Sequence, residues 1–184
     1  SDPNAETMAQ RIMQYQAALQ LAQQAPEMYD LPLLHRQMLE ILNIRDADKI
    51  VPTDDDMKPT DPVSENMNII NGKPVKAFAY QDHEAHIQTH MAMAQDPKVL
   101  EVMGKSPNAK KAMAELSAHV QEHLAFKYRA DVEKELGFEL PPPGDALPED
   151  IEFRISQLAS MAAEQLKGKN QQEAQQKKAQ EQAK

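Results

Sequence analysis

The chain has 184 residues, with 20 Lys plus Arg against 29 Asp plus Glu for a formal net charge of −9, no cysteine, no tryptophan and eleven methionines. The missing cysteine excludes a disulfide framework, a thiolate metal site and a cysteine nucleophile. The acidity excludes a grip on nucleic acid by phosphate neutralisation, which needs a basic groove or stripe, though it leaves room for a wall past which DNA slides without adhering. No apolar run approaches the roughly 18 residues of a membrane span and no signal peptide opens the chain, so a soluble protein is expected. Rich in Ala and Met and poor in aromatic and β-branched residues, the sequence reads as all-α.

Asp2-Pro3, Asp61-Pro62, Asp96-Pro97 and Ser106-Pro107 each read as a helix start, the first side chain capping free amides and the proline sitting where no N–H is needed. Gly72, Gly104 and Gly137 read as the glycines that follow the helices begun by the last three pairs. The first helix is expected from Ala5 to about Ala25, with Met8, Ile12, Tyr15 and Leu19 on one stripe, stopped by Pro26. Asp30 then caps LPLLHRQMLEIL, with Leu34, Met38, Ile41 and Leu42 inward. Together these make a helical hairpin over residues 1–49. Because the chain starts at Ser1 on a capping sequence, it reads as a segment or processed product of something longer.

IVPTDDDMKPTDP, residues 50–62, reads as an extended acidic strap, either a linker or an ordered band over a helical body. Residues 62–140 form that body: a short helix from Pro62 to Asn71, a histidine helix over about Asp82 to Gln95, a helix from Pro97 to Met103, and a long helix from Pro107 to Leu136. PPPGDALP, residues 141–148, is a stiff break. Residues 149–184 begin as an amphipathic helix with Ile151, Ile155, Leu158, Met161 and Leu166 apolar, then pass into a Gln-rich tail with no large apolar residue. Such a tail has helix propensity but no face to bury, so helix is expected through Leu166 and beyond it only where neighbouring copies pack alongside.

QDHEAHIQTH, residues 81–90, sets His83, His86 and His90 within about 60° of one helix face, and His119 with His123 repeats the i, i+4 spacing on the long helix. Five histidines in one body raise the reading of a metalloenzyme. Against it, the zinc-protease spacing H-E-x-x-H is missed by one residue in HEAH, and the histidines flank apolar positions: Tyr80, Ile87, Met91 and Ala94 on one helix, Met113, Leu116 and Val120 on the other. The reading taken is that they are boundary residues covering the edge of a core, with no metal. Asp54, Asp55 and Asp56 lack calcium-loop alternation and read as a solvated turn. There is no nucleophile elbow and no phosphate-cradling glycine loop, so no catalytic, cofactor-binding or metal-binding residue is assigned, and no cofactor.

TMAQRIMQYQAALQLAQQAPEMYDLPLLHRQMLEILNI, then DPVSENMNIINGKPVKAFAYQDHEAHIQTHM, then PPPGDALP and the Gln-rich end resemble, in that order and over nearly the whole chain, the C-terminal part of portal proteins of short-tailed and related tailed bacteriophages. The resemblance implies a structural protein of the virion, not an enzyme, located at the head–tail vertex and assembled in the host cytoplasm. It implies a ring, typically of twelve copies, through which duplex DNA is packaged and ejected without sequence-specific binding. Capsid, terminase and tail or adaptor proteins are the implied partners, and no membrane is involved. The C-terminal helices would form a crown or barrel facing the head interior. Portal proteins also carry wing, stem and clip regions, for which this sequence has no counterpart. The alternative reading from the residues is a helical adaptor or scaffolding module that binds a partner through Met-rich faces. The tail from Lys167 onward carries five Lys against two Glu and is the one stretch where contact with DNA is expected, and then only weakly.

Overall fold

The computed structural model describes residues 5–184. Those residues are helical, eight α-helices with no strand among them, and none of the helices is long and apolar enough to cross a membrane. They fall into two compact units that divide between Pro59 and Thr60.

In the first unit, α1 (Met8–Gln24) opens on a capping box in which Thr7 Oγ1 accepts from the Gln10 amide and Gln10 Oε1 accepts from the Thr7 amide. The start expected at Asp2-Pro3 lies outside the described residues. A 3-10 turn (Pro26–Met28) follows where Pro26 cannot continue the helix, and Asp30 caps α2 (Leu31–Ile41) at the Leu33 amide. The helices pair with Ala22 and Met38 buried, while Tyr15 Oη donates to Gln37 Oε1. Leu42, expected inward, is exposed: it caps the end of α2, past the last residue held on the inward stripe. After α3 (Ala47–Ile50) the strap does not run free. Asp54–Asp56 form a 3-10 turn closed by Thr53 and Asp56, and the Arg36 guanidinium of α2 bonds to Thr53 Oγ1 and to the Asp56 carboxylate.

The second unit begins with α4 (Pro62–Ile70), where Asp61 accepts from the Ser64 amide at 2.9 Å. Gly72 takes φ +72° just after it. Asp82 caps α5 (His83–Gln95), and Asp96 ends α5 while capping α6 (Pro97–Gly104) through the Lys98 and Val99 amides. Gly104 is the last residue of α6 rather than the glycine beyond it. α7 (Ala109–Leu136) starts two residues later than the Ser106-Pro107 pair suggests, because Ser106 Oγ accepts from the Asn108 amide and shapes the turn before the helix. Gly137 closes α7 with φ +81°. Arg129 reaches from α7 to the Leu140 and Pro141 carbonyls and so ties the proline-rich break to the helix.

Two apolar clusters lie along α7. Ile69, Met103, Ala112 and Leu116 join α4, α6 and the start of α7. Val132 packs with Ala162 and Leu166 of α8 (Glu149–Gln182). The inward stripe of α8 is therefore Ala162 and Leu166 with half-buried Ile155 and Ala159, whereas Ile151, Leu158 and Met161 are exposed. α8 continues to Gln182 although every residue from Lys167 on is exposed. Apart from the bond of Lys169 to Glu135 of α7, this stretch is solvated, and it stays helical because Ala, Gln, Lys and Glu add to a helix already nucleated and packed upstream, where each further residue gains a backbone bond at little cost.

Candidate functional site

Between the two apolar clusters, α7 places His119 and His123 on the same inward stripe as Ala112 and Leu116, at spacings of three and four residues. α5 faces it with His83, His86 and His90, which are its buried residues. α4 supplies Glu65 and Asn66 from its own inward face beside Ile69. His90, His119, His123 and Glu65 are the largest fully buried side chains of the described residues, each under 2% exposed.

This corrects the boundary reading of the histidines. They are not at the edge of a core; in this stretch they are the core. Of the apolar neighbours on the two helices, Leu116 is buried as expected and Ile87, Ala94 and Val120 are half-buried, whereas Tyr80, Met91 and Met113 are exposed. Polar side chains can fill an interior where they satisfy one another, and the packing of α4, α5 and α7 gives each imidazole a partner on a different helix.

Glu65 Oε2 is the centre. His86 Nδ1 and His119 Nε2 each lie 2.9 Å from it, His90 Nε2 lies at 3.2 Å and His123 Nε2 at 3.8 Å. Glu65 Oε1 faces Gln81 Nε2 at 3.4 Å, and Gln81 is fixed in turn by the Thr60 carbonyl and the Phe78 amide.

An outer ring orients the imidazoles. His90 Nδ1–H donates to Asn66 Oδ1 at 2.6 Å, and Asn66 Nδ2 points to the Thr89 carbonyl, which sets the amide the right way round. His119 Nδ1–H donates to Glu122 Oε2, which also accepts the Ala77 amide. His83 Nε2–H donates to the Ala79 carbonyl, so its Nδ1 accepts from His123 Nδ1–H at 2.9 Å. His83 also stacks on Phe126, with ring centroids 5.3 Å apart. In the neutral forms of His90, His119 and His123 these bonds consume the Nδ1–H and leave an Nε2 lone pair turned inward. His90 Nε2, fully buried, has no hydrogen-bond partner.

The electrostatics follow from this geometry. Burial opposes ionisation of Glu65, but the imidazoles of His119, His123 and His90 outweigh it and hold the carboxyl well below the usual carboxylate range. Burial also disfavours the charged form of His119, yet the Glu65 and Glu122 carboxylates on either side raise it above the ordinary histidine value. His123 is lowered, by burial first, with crowding from His119 and His86 added to it against the pull of Glu65.

Glu65, His90, His119 and His123 are the residues whose ligand atoms, all within 4.8 Å of one another, could hold a metal ion. The helical spacings had exposed the histidines to sequence reasoning; Glu65, Asn66, Gln81 and Glu122 had escaped it. Their signal is slight: Glu65 and Asn66 lie one turn before Ile69 on an otherwise apolar face, and Glu122 follows His119 by three residues. His35, the remaining histidine, belongs to α2 of the first unit. No known protein family, curated protein or solved structure matches the chain.

Proposed function

We propose that the chain is a structural segment of a tailed-phage portal ring, a conduit for DNA rather than an enzyme. The sequence resemblance suggests this reading, and one observation supports it most directly: α8 carries an apolar edge, Ile151, Leu158 and Met161, that its own unit leaves exposed, and it then runs on to Gln182 with every residue exposed. A helix of this kind is suited to standing beside copies of itself, where the apolar edge is covered and the Gln side chains, each both donor and acceptor, bond laterally without one fixed register. The acidic charge suits a channel past which DNA moves without adhering.

Mass photometry and cryo-microscopy of the full-length protein test it: closed rings near twelvefold are expected, and Leu158→Asp with Met161→Asp should shift the population to monomers while leaving far-UV circular dichroism unchanged. A wild-type protein monomeric at every concentration would overturn the reading. The adaptor alternative is supported by the exposed methionines of the first unit, Met8, Met13 and Met28. It predicts a defined heterologous partner and no ring, so recovery of only self-assembled protein and other virion proteins in a pull-down would remove it.

A further inference from the structure

We propose that Glu65, His90, His119 and His123 form a closed, structural binding site for one divalent transition-metal ion of the zinc class. The inference does not depend on the portal reading.

The first argument is the direction of the lone pairs. Three imidazoles spend their Nδ1–H groups on Asn66, Glu122 and His83 and turn Nε2 inward toward a carboxylate oxygen. With only those tautomers, electron pairs would face one another across 2.9 to 3.8 Å with nothing between them. His119 and His123 show the same conflict directly, with Nε2 to Nε2 at 3.2 Å. His90 shows it as a buried nitrogen without a partner. A cation at the centre answers all of these at once.

The second argument is size. Zinc bound at about 2.0 to 2.1 Å by four ligands in a tetrahedron has ligand atoms about 3.3 Å apart. Four of the six edges, from Glu65 Oε2 to His90, His119 and His123 and from His119 to His123, run from 2.9 to 3.8 Å and straddle that value, and the two from His90 to His119 and His123 lie within 4.8 Å.

The third is the supporting shell. Metal-bound histidines regularly donate their other ring N–H to a carboxylate, an amide or a carbonyl, which fixes both tautomer and ring orientation. Here Asn66, Glu122 and the His83–Ala79 pair do so, and His86 Nδ1–H and Gln81 hold the two oxygens of Glu65. Four ligands of 0 to 2% side-chain exposure leave no position open to a substrate, which marks the site as one that stabilises the fold. Imidazole and carboxylate without thiolate suit zinc, with cobalt and nickel as substitutes.

The test uses the full chain without a histidine tag, stripped with a chelator and dialysed. Addition of zinc chloride should give one equivalent bound and a higher melting temperature, both reversed by chelator. Cobalt(II) in its place should give the intense visible bands of a tetrahedral ion, and X-ray absorption of the zinc form should show four N/O ligands with imidazole scattering. His90→Ala and His123→Ala should abolish binding, Asn66→Ala should weaken it about 10- to 100-fold, and His35→Ala should leave it unchanged. The X-ray absorption and cobalt readings on the unaltered chain stand even where a ligand variant fails to fold. Substoichiometric zinc with no change in melting temperature, a pale octahedral cobalt spectrum, or full affinity in folded His90→Ala would each overturn the proposal, the first of them leaving a proton-shared histidine–carboxylate cluster in its place.

Discussion

His119 and His123 stand one turn apart on α7 with their Nε2 atoms 3.2 Å from each other, and the Nδ1–H of each is already committed, one to Glu122 and the other to His83. Glu65 is the anion around which this arrangement closes. Glu65→Ala removes it, leaves four imidazoles facing one another in a buried space, and is expected to destabilise the second unit by about 3 to 5 kcal/mol, the usual cost of breaking a buried charged pair from one side. Urea unfolding followed by far-UV circular dichroism measures this, since the chain lacks tryptophan. A loss under about 1 kcal/mol would show that Glu65 is not the hub of the cluster.

Leu116 is 3% exposed and joins Ile69, Met103 and Ala112 one turn before His119. Leu116→Ala should cost about 2 to 5 kcal/mol through lost burial and the cavity left behind. Val102, at 71% exposure on the neighbouring helix α6, serves as the control: Val102→Ala should stay within about 0.5 kcal/mol of the parent in the same experiment.

In the first unit, the Arg36 guanidinium, with help from the Thr53 amide and hydroxyl, lowers the Asp56 carboxyl from 3.8 to about 2. A folded value below the unfolded one means the contribution to stability is present above the unfolded value and is lost as pH falls from about 4 through about 2. Asp56 should therefore titrate near the lower value in a carbon-detected NMR titration, and Arg36→Gln should return its midpoint toward the ordinary carboxylate range. An Asp56 midpoint that does not move in that variant would sink the assignment of Arg36 as the cause.

Two glycines should respond to alanine with opposite sign. Gly137 has φ +81°, a conformation in which a Cβ is strained whatever the surrounding space, so Gly137→Ala should cost about 1 kcal/mol. Gly168 lies inside α8 with nothing within 4 Å of an added Cβ, so Gly168→Ala should favour the helical state of that segment by about 0.5 to 1 kcal/mol. Equilibrium unfolding settles the first and helicity of the α8 tail on heating settles the second; the same sign in both would contradict the conformational argument.

The helix order was legible because its signals are local. Asp30, Asp61, Asp82 and Asp96 each accept from backbone amides at a helix start, which is chemistry contained in a few consecutive residues. Gly104 and the Ser106-Pro107 pair misled by a residue or two because the turn between α6 and α7 is set by Ser106 Oγ, a contact that competes with capping. The inner face of α5 was misread for a different reason. Periodicity assigns apolar residues inward, and on α5 the inward positions are His83, His86 and His90, whose burial depends on Glu65, Asn66 and His123 on two other helices. On α8, of the apolar positions read from the sequence, Leu166 is buried and Ile155 half-buried, while the small Ala162, which apolar size does not single out, joins Leu166 against Val132.

The tie from Arg129 to the Leu140 and Pro141 carbonyls has a mechanical side. α8 is 34 residues long, so at 1.5 Å per residue it is a rod of roughly 50 Å. Its apolar anchorage to α7 is at Ala162 and Leu166, near its middle, which makes that contact a fulcrum. At the same rise, the arm beyond Leu166 is about 24 Å long, and a 10° rocking of the rod would swing its end by about 4 Å. The guanidinium clamp restrains the segment that leads into one arm, and Lys169, bonded to Glu135 of α7, holds the other arm just past Leu166, so the rod is tied on both sides of its fulcrum.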